Sequence, residues 1–242
     1  MAGWLIPPPR PPTKTAVQFR REREAKVAEL VRCGLLCSAR IEHALLTVPR
    51  EAFIPPAYRD YAYEEVPLPL PGVRATISCP HSYPLFYEPL GLDAGHRFLE
   101  VGLGSGYGTA LAREIVGPKG RVIAVELDPQ TLAFARANLE RRGYTDVVLI
   151  EGDGGLGCPA HAPFDRICVT AACEHVPPPL IEQLAVHGRL IAPLLHDGRQ
   201  DLVVVENDPE GLRSMTICEV LYVPLRGRFG GEEGSGRGLS DA

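Results

Sequence analysis

The 242-residue chain carries 25 Lys and Arg against 30 Asp and Glu, a formal net charge of −5, and is 45% hydrophobic. That apolar share suits a sizeable globular core. The acidic balance and the lack of a basic stripe exclude phosphate-backbone binding, and no apolar run reaches membrane-spanning length, so neither a nucleic-acid nor a membrane partner is expected.

In chain order, residues 1–15 hold Pro7-Pro8-Pro9-Arg10-Pro11-Pro12 and little that packs, which predicts a disordered or polyproline arm. The N-terminus lacks a basic region followed by an apolar core, so no secretory signal is expected. Residues 17–36 read as an amphipathic helix, and Ser38 reads as the cap of a second helix reaching Leu46. The irregular stretch 48–72 is rich in Pro and Tyr. Its Phe53, Tyr58, Tyr61 and Tyr63 require packing partners, so it reads as a lid or substrate wall rather than a linker. A helix is predicted over 83–90, after Thr76-Ile77-Ser78-Cys79-Pro80-His81.

From residue 97 onward, strands and helices alternate. Strands are predicted at 97–101, 121–126, 147–151, 164–170, 188–193 and 202–207, with helices at 107–116, 128–142 and 178–185. Asp128-Pro129 supplies a cap and a first-turn proline, and Gly143 a stop. This alternation predicts an α/β fold with a doubly wound, mostly parallel, Rossmann-like sheet. The expected organisation is one domain over 16–230, with a helical and lid segment at 16–75 and a core at 76–230, followed by a disordered polar tail at 231–242.

The stretch Phe98-Leu99-Glu100-Val101-Gly102-Leu103-Gly104-Ser105-Gly106-Tyr107 reads as a buried strand, a glycine turn and a helix start. Its spacing is G-x-G-x-G. A dinucleotide fingerprint would place its third glycine where Tyr107 stands. Glu100 puts a carboxylate beside the turn, which repels phosphate but suits a cationic ligand such as S-adenosylmethionine (SAM), with its sulfonium and amino groups. Glu126, at the end of the next strand, lies at the spacing from which an acid reaches ribose hydroxyls. Gly152-Asp153-Gly154 is either an Asp turn or an acceptor for an exocyclic amine; its register with Glu100 and Glu126 favours the acceptor. Small residues at Thr170-Ala171-Ala172 leave room for substrate.

Ser78 and His81 raise nucleophilic hydrolysis, but no G-x-S-x-G elbow surrounds Ser78, so a donor that orients substrate or cofactor is the better reading. Seven cysteines, at 33, 37, 79, 158, 168, 173 and 218, include no C-x-x-C pair. They read as reduced thiols of a cytoplasmic protein. His161, His175 and His187 have no ligand-spaced partner, so no metal site is expected.

These residues resemble the protein-L-isoaspartate (D-aspartate) O-methyltransferase family over about 27–230. The resemblance rests on Val48-Pro-Arg-Glu-x-Phe-Ile-Pro55, Ala75-Thr-Ile-Ser-Cys-Pro-His81, Leu99-Glu-Val-Gly-Leu-Gly-Ser-Gly106 and Gly152-Asp-Gly154, with Phe164-Asp165, Val169-Thr-Ala-Ala172 and Tyr222-Val-Pro-Leu225 in support. It implies a class I SAM methyltransferase fold and methyl transfer from SAM to the α-carboxyl of an L-isoaspartyl residue in damaged proteins. The ester then collapses to a succinimide that can reopen to aspartyl. Ser78 corresponds to the active-site serine. Pro80, His81, Glu100, Gly102, Gly104, Gly106, Glu126, Asp153, Gly154 and Gln200 are the expected cofactor set. Thr76, Ile77, Ser78, Thr170 and Ala171 are the expected substrate set. A monomer is expected.

The chain departs from the family pattern at Cys79, at Ser82, at Val186-His187-Gly188 and at Leu194-Leu195-His196. The last of these keeps open a carboxyl methyltransferase for a dedicated peptide; a further alternative is a SAM-binding adaptor without turnover, its tails serving as docking segments.

Overall fold

The computed structural model describes residues 6–230. Two helices open it, α1 (Ala16–Arg32) and α2 (Ala39–Thr47). Thr15 and Gln18 close a reciprocal capping box at the start of α1, and the Ser38 hydroxyl accepts from the Ile41 N–H at the start of α2. Short 3₁₀ turns at Arg50–Phe53 and Pro56–Tyr61 lead to a small antiparallel ribbon, β1 (Leu68–Pro69) with β2 (Thr76–Ile77). Helix α3 (Ser82–Leu90) follows.

The core then alternates β3 (Arg97–Val101), α4 (Tyr107–Val116), β4 (Arg121–Glu126), α5 (Pro129–Arg141), β5 (Val148–Glu151), β6 (Phe164–Val169), α6 (Pro178–Glu182) and β7 (Leu184–His196). Strands β8 (Arg199–Asp208) and β9 (Gly211–Val220) complete it. Among the described residues the main sheet has the order β5-β4-β3-β6-β7-β8-β9. The pairings from β5 through β7 are parallel, and β8 and β9 add an antiparallel meander. The mostly parallel, doubly wound expectation therefore holds. The chain runs outward from β3 to β5 and returns to β6 on the other side of β3, so the carboxyl ends of β3 and β6 flank the point where strand order reverses. Ligands of open α/β sheets bind at that point.

Alternation along the strands sends side chains to two separate cores. Phe98, Val122, Ala124, Cys168 and Ile191 face the layer of α1 to α5. Leu99, Val101, Ile123, Ile167 and Leu190 face the layer that contains Leu180 and Leu184. Burial on both faces is why the parallel strands read as continuous apolar runs.

Three sequence expectations differ from the structure. Helix 178–185 stops at Glu182, because Leu184 already begins β7. Strand β9 was not anticipated: it lies at the sheet edge with most side chains exposed, so it carries no apolar alternation. Its partner β8 turns back from β7 through Asp197 and Gly198, both at positive φ, a D-G hairpin signal. For the arm, expected to be disordered or polyproline, Pro8, Arg10, Thr13, Lys14 and Thr15 have partners. The Asp60 carboxyl is 1% exposed and accepts from the Thr13 N–H (3.0 Å), the Thr13 hydroxyl (2.7 Å) and the Lys14 N–H (3.2 Å). A buried carboxylate needs such donors, and here the arm supplies them. Arg10 also stacks over the Tyr61 ring at 4.0 Å. The tail expectation for 231–242 lies outside the described residues, as do residues 1–5 of the arm.

Candidate active site

The turn after β3 is built on backbone that side chains resist. Gly102 and Gly104 stand at φ of 86° and 55°, in the left-handed region that glycine tolerates. A Cβ on Gly102 would lie 2.6 Å from Thr170 Oγ1. That closeness follows from a latch: the Thr170 hydroxyl donates to the carbonyls of Gly102 (2.5 Å) and Val101 (3.1 Å), tying the end of β6 to the turn. At the end of β4, Glu126 Oε2 accepts from the Gly104 N–H (3.3 Å), and Oε1 accepts from the Asp128 N–H (3.1 Å).

Glu100 sits beneath the turn, 3% exposed. Its Oε2 accepts from the Thr109 hydroxyl at 2.5 Å. Burial pushes its pKa up to about 8; the Thr109 bond pulls it down and nearby Glu126 adds to the rise. Burial also raises Glu126, while the backbone donors of Asp128 and Gly104 hold it back. A site that protonates a carboxylate for want of solvation gains by admitting a cation beside it.

Across from the turn, β2 delivers Thr76, Ile77 and then Ser78. The Ser78 backbone is held from an unexpected quarter. Arg50, 1% exposed, donates from Nη2 to the Ser78 carbonyl and from Nε to the Ala62 carbonyl, each at 2.6 Å. Its guanidinium lies 5.7 and 5.4 Å from the ring centroids of Tyr83 and Tyr107. One cation thus joins the 48–72 segment to the loop that carries Ser78.

Between these walls lies a cavity of about 490 Å³, within the roughly 300–1,000 Å³ typical of small-molecule sites. Ser78, Glu100, Gly102, Gly104, Glu126 and Thr170 all line it.

The model of the protein-L-isoaspartate(D-aspartate) O-methyltransferase family matches residues 21–230. The chain belongs to that family. It is 43% identical to the protein-L-isoaspartate O-methyltransferase of Aeropyrum pernix, covering 96% of this chain and 94% of that protein. It is 42% identical to the one from Hyperthermus butylicus, covering 92% and 96%. A solved protein-L-isoaspartate O-methyltransferase superposes with a TM-score of 0.79 at 34% identity, covering 86% of this chain and 67% of that one. A Plasmodium falciparum structure solved with S-adenosyl-L-homocysteine shares the fold at 24% identity and a TM-score of 0.76. The fold is that of class I SAM methyltransferases.

Within this family frame, the cavity gathers all five residues of the expected substrate set: Thr76, Ile77, Ser78, Thr170 and Ala171. From the expected cofactor set it gathers His81, Glu100, Gly102, Gly104, Glu126 and Gly154. The other four lie elsewhere. Gly106 faces α5, where a Cβ would meet Leu139 at 3.1 Å, so it serves helix packing. Asp153 spends its carboxylate on the N–H groups of Gly155 (2.9 Å) and Arg228 (2.7 Å), fastening the C-terminal segment. Gln200 clasps the Tyr222 backbone, donating to its carbonyl (3.0 Å) and accepting from its N–H (2.6 Å). It shapes the wall at Tyr222 without reaching the cavity. Pro80 is buried outside the lining.

Sequence reasoning missed Arg50 and Gly108. The Val-Pro-Arg-Glu motif signalled the first. The second lies in the first turn of α4, where any Cβ would strike Glu100. The Leu194-Leu195-His196 departure falls at the tip of the β7–β8 hairpin and does not line the cavity.

Proposed function

We propose that this chain repairs damaged proteins by transferring a methyl group from SAM to the α-carboxyl of L-isoaspartyl residues, with Ser78 orienting that carboxylate. The observation that carries the reading is the meeting of the Thr76–Ser78 loop and Thr170 with the glycine turn across one cavity. The residues fit SAM: the backbone of Gly102 and Gly104 leaves a cradle that a Cβ would strain or fill, Glu126 is poised for ribose hydroxyls, and Glu100 favours positive charge. When bound, SAM supplies an electrophilic methyl carbon.

The chain's own task is placement. An α-carboxylate is ionised at neutral pH, so no strong general base is needed. The Ser78 hydroxyl and the Thr76–Ser78 backbone hold the carboxylate with one oxygen facing the methyl position. Such positioning is worth roughly 7–11 kcal/mol of barrier. The 48–72 segment adds Glu65 and Pro67 to the cavity wall and excludes water there.

The dedicated-peptide alternative drew on the 194–200 stretch, and its removal from the cavity lining leaves that alternative without support. We place the protein in the cytoplasm as a monomer. All seven cysteines lie among the described residues as free thiols. Among the described residues no helix is long and apolar enough to cross a membrane.

Incubation of an isoaspartyl peptide with enzyme and SAM tests the function. Chromatography is expected to show loss of isoaspartyl and growth of succinimide and aspartyl peptide. An isoaspartyl peptide left unconverted under conditions where SAM binds contradicts the assignment.

A further inference from the structure

Beside Ser78, three donors of different chemistry converge: the Cys79 thiol, the His81 imidazole and the Glu65 carboxylate. Their ligand atoms all lie within 4.8 Å of one another, and all three residues line the cavity. Cys79 and His81 come from one loop; Glu65 comes from the lid segment, fourteen or more positions upstream. His81 Nδ1 lies 2.6 Å from Glu65 Oε2. The other Glu65 oxygen, Oε1, is held by the Lys26 ammonium at 3.2 Å.

We propose that Glu65, Cys79 and His81 form a binding site for a thiophilic divalent cation, Zn²⁺ in the first place, that locks the lid onto the Ser78 loop and inhibits methyl transfer. One sulfur, one nitrogen and one oxygen are the donors zinc takes, with a fourth, open position left for water. Tetrahedral bonds of roughly 2.0–2.3 Å set neighbouring donors about 3.3–3.7 Å apart. The imidazole and carboxylate must therefore separate by less than about 1 Å, which two partly exposed side chains accommodate. Binding releases the Cys79 proton to solvent. The Lys26 contact orients the carboxylate from behind, as outer partners of metal ligands do. The sulfur donor selects against Mg²⁺ and Ca²⁺, which prefer oxygen.

A second cluster, His187 with Glu206 and Asp208, makes a useful contrast. It lacks sulfur, and both carboxylates already face arginines: Glu206 lies 3.0 Å from Arg189, and Asp208 3.5 Å from Arg213.

The test titrates ZnCl₂ into the full chain by calorimetry, with MgCl₂ as control, and repeats the titration with CoCl₂ followed in the ultraviolet for thiolate-to-cobalt charge transfer. One high-affinity zinc site is expected, with a charge-transfer band. Cys79→Ala is expected to lose the band and at least about tenfold in zinc affinity, and Glu65→Gln about tenfold in affinity. His187→Ala is expected to keep both. Absence of zinc binding beyond the magnesium control, or a band and affinity unchanged in Cys79→Ala, overturns the site. Circular dichroism checks that each variant is folded, and Glu65→Gln carries the test should Cys79→Ala unfold. The inhibitory consequence rests on the proposed function, whereas the binding measurements do not. In the methylation assay, micromolar zinc is expected to inhibit, with recovery on chelation and resistance in Cys79→Ala. Equal inhibition of both proteins overturns the lock.

Discussion

The two walls of the cavity are made in different ways. The wall at the carboxyl ends of β3, β4 and β6 is built on strand ends of the parallel sheet: a glycine turn, strand-end acids and a threonine latch that ties β6 to the turn from 68 positions away. The facing wall is assembled from pieces outside those strands. Ser78 is held by Arg50, Glu65 is set by Lys26, and the Tyr222 wall is clasped by Gln200. The difference teaches that cofactor affinity and turnover are separable here, and substitutions can test this one wall at a time.

The largest effect is expected at the strand-end wall. Gly102→Val forces a branched side chain into a left-handed backbone and against Thr170. Strain of about 1–3 kcal/mol converts to a loss of roughly 5–150-fold in SAM affinity, read by calorimetry. Normal affinity in a folded variant breaks the placement of the turn.

At the facing wall, Arg50→Met leaves the Ser78 and Ala62 carbonyls without their donor. Turnover of an isoaspartyl peptide is expected to fall about tenfold or more, with SAM affinity held within about twofold and Tm lowered by several degrees. Parallel loss of SAM affinity contradicts the separation. Ser78→Ala sharpens it further: methylation falls while SAM affinity is largely spared, and calorimetry showing lost SAM binding removes the role given to Ser78.

A pH effect distinguishes the walls more gently. Burial raises Glu100 to about 8. Its raised pKa favours the folded apoprotein below the ordinary glutamate range, and that contribution is lost as pH rises through 8. A cationic ligand favours the ionised form, so SAM affinity is expected to rise between pH 6 and about 8, by less than tenfold per unit, and then level off. Glu100→Gln is expected to abolish that slope. A slope that survives in the variant assigns it to another group.

The smallest effect lies far from the cavity. Thr13→Ala removes a donor to Asp60 and is expected to lower Tm by about 2–4 °C without changing activity.

The same division governs what the sequence disclosed. Gly102, Gly104, Glu100 and Glu126 sit within one strand-turn-helix unit and its neighbour, where spacing maps directly onto geometry. Gly106 shows that glycine spacing alone does not say which partner a residue approaches; here it is α5. Nor does the sequence show that the Asp153 carboxylate accepts from a segment 75 positions away. The partnership of Arg50 with Ser78 and the gathering of Glu65 with Cys79 and His81 are tertiary, with no periodicity or fixed spacing to announce them. The packed arm was hidden for a related reason: its docking partners, the buried Asp60 carboxylate and the Tyr61 ring, lie in a proline-rich turn.

The central claim is methylation of the isoaspartyl carboxylate, and the most direct measurement uses radiolabelled SAM with a matched pair of peptides carrying Asp or isoAsp at one position. Base-labile label on the isoAsp peptide alone is the predicted result. Label on neither peptide, with SAM binding intact, or equal label on both, contradicts it.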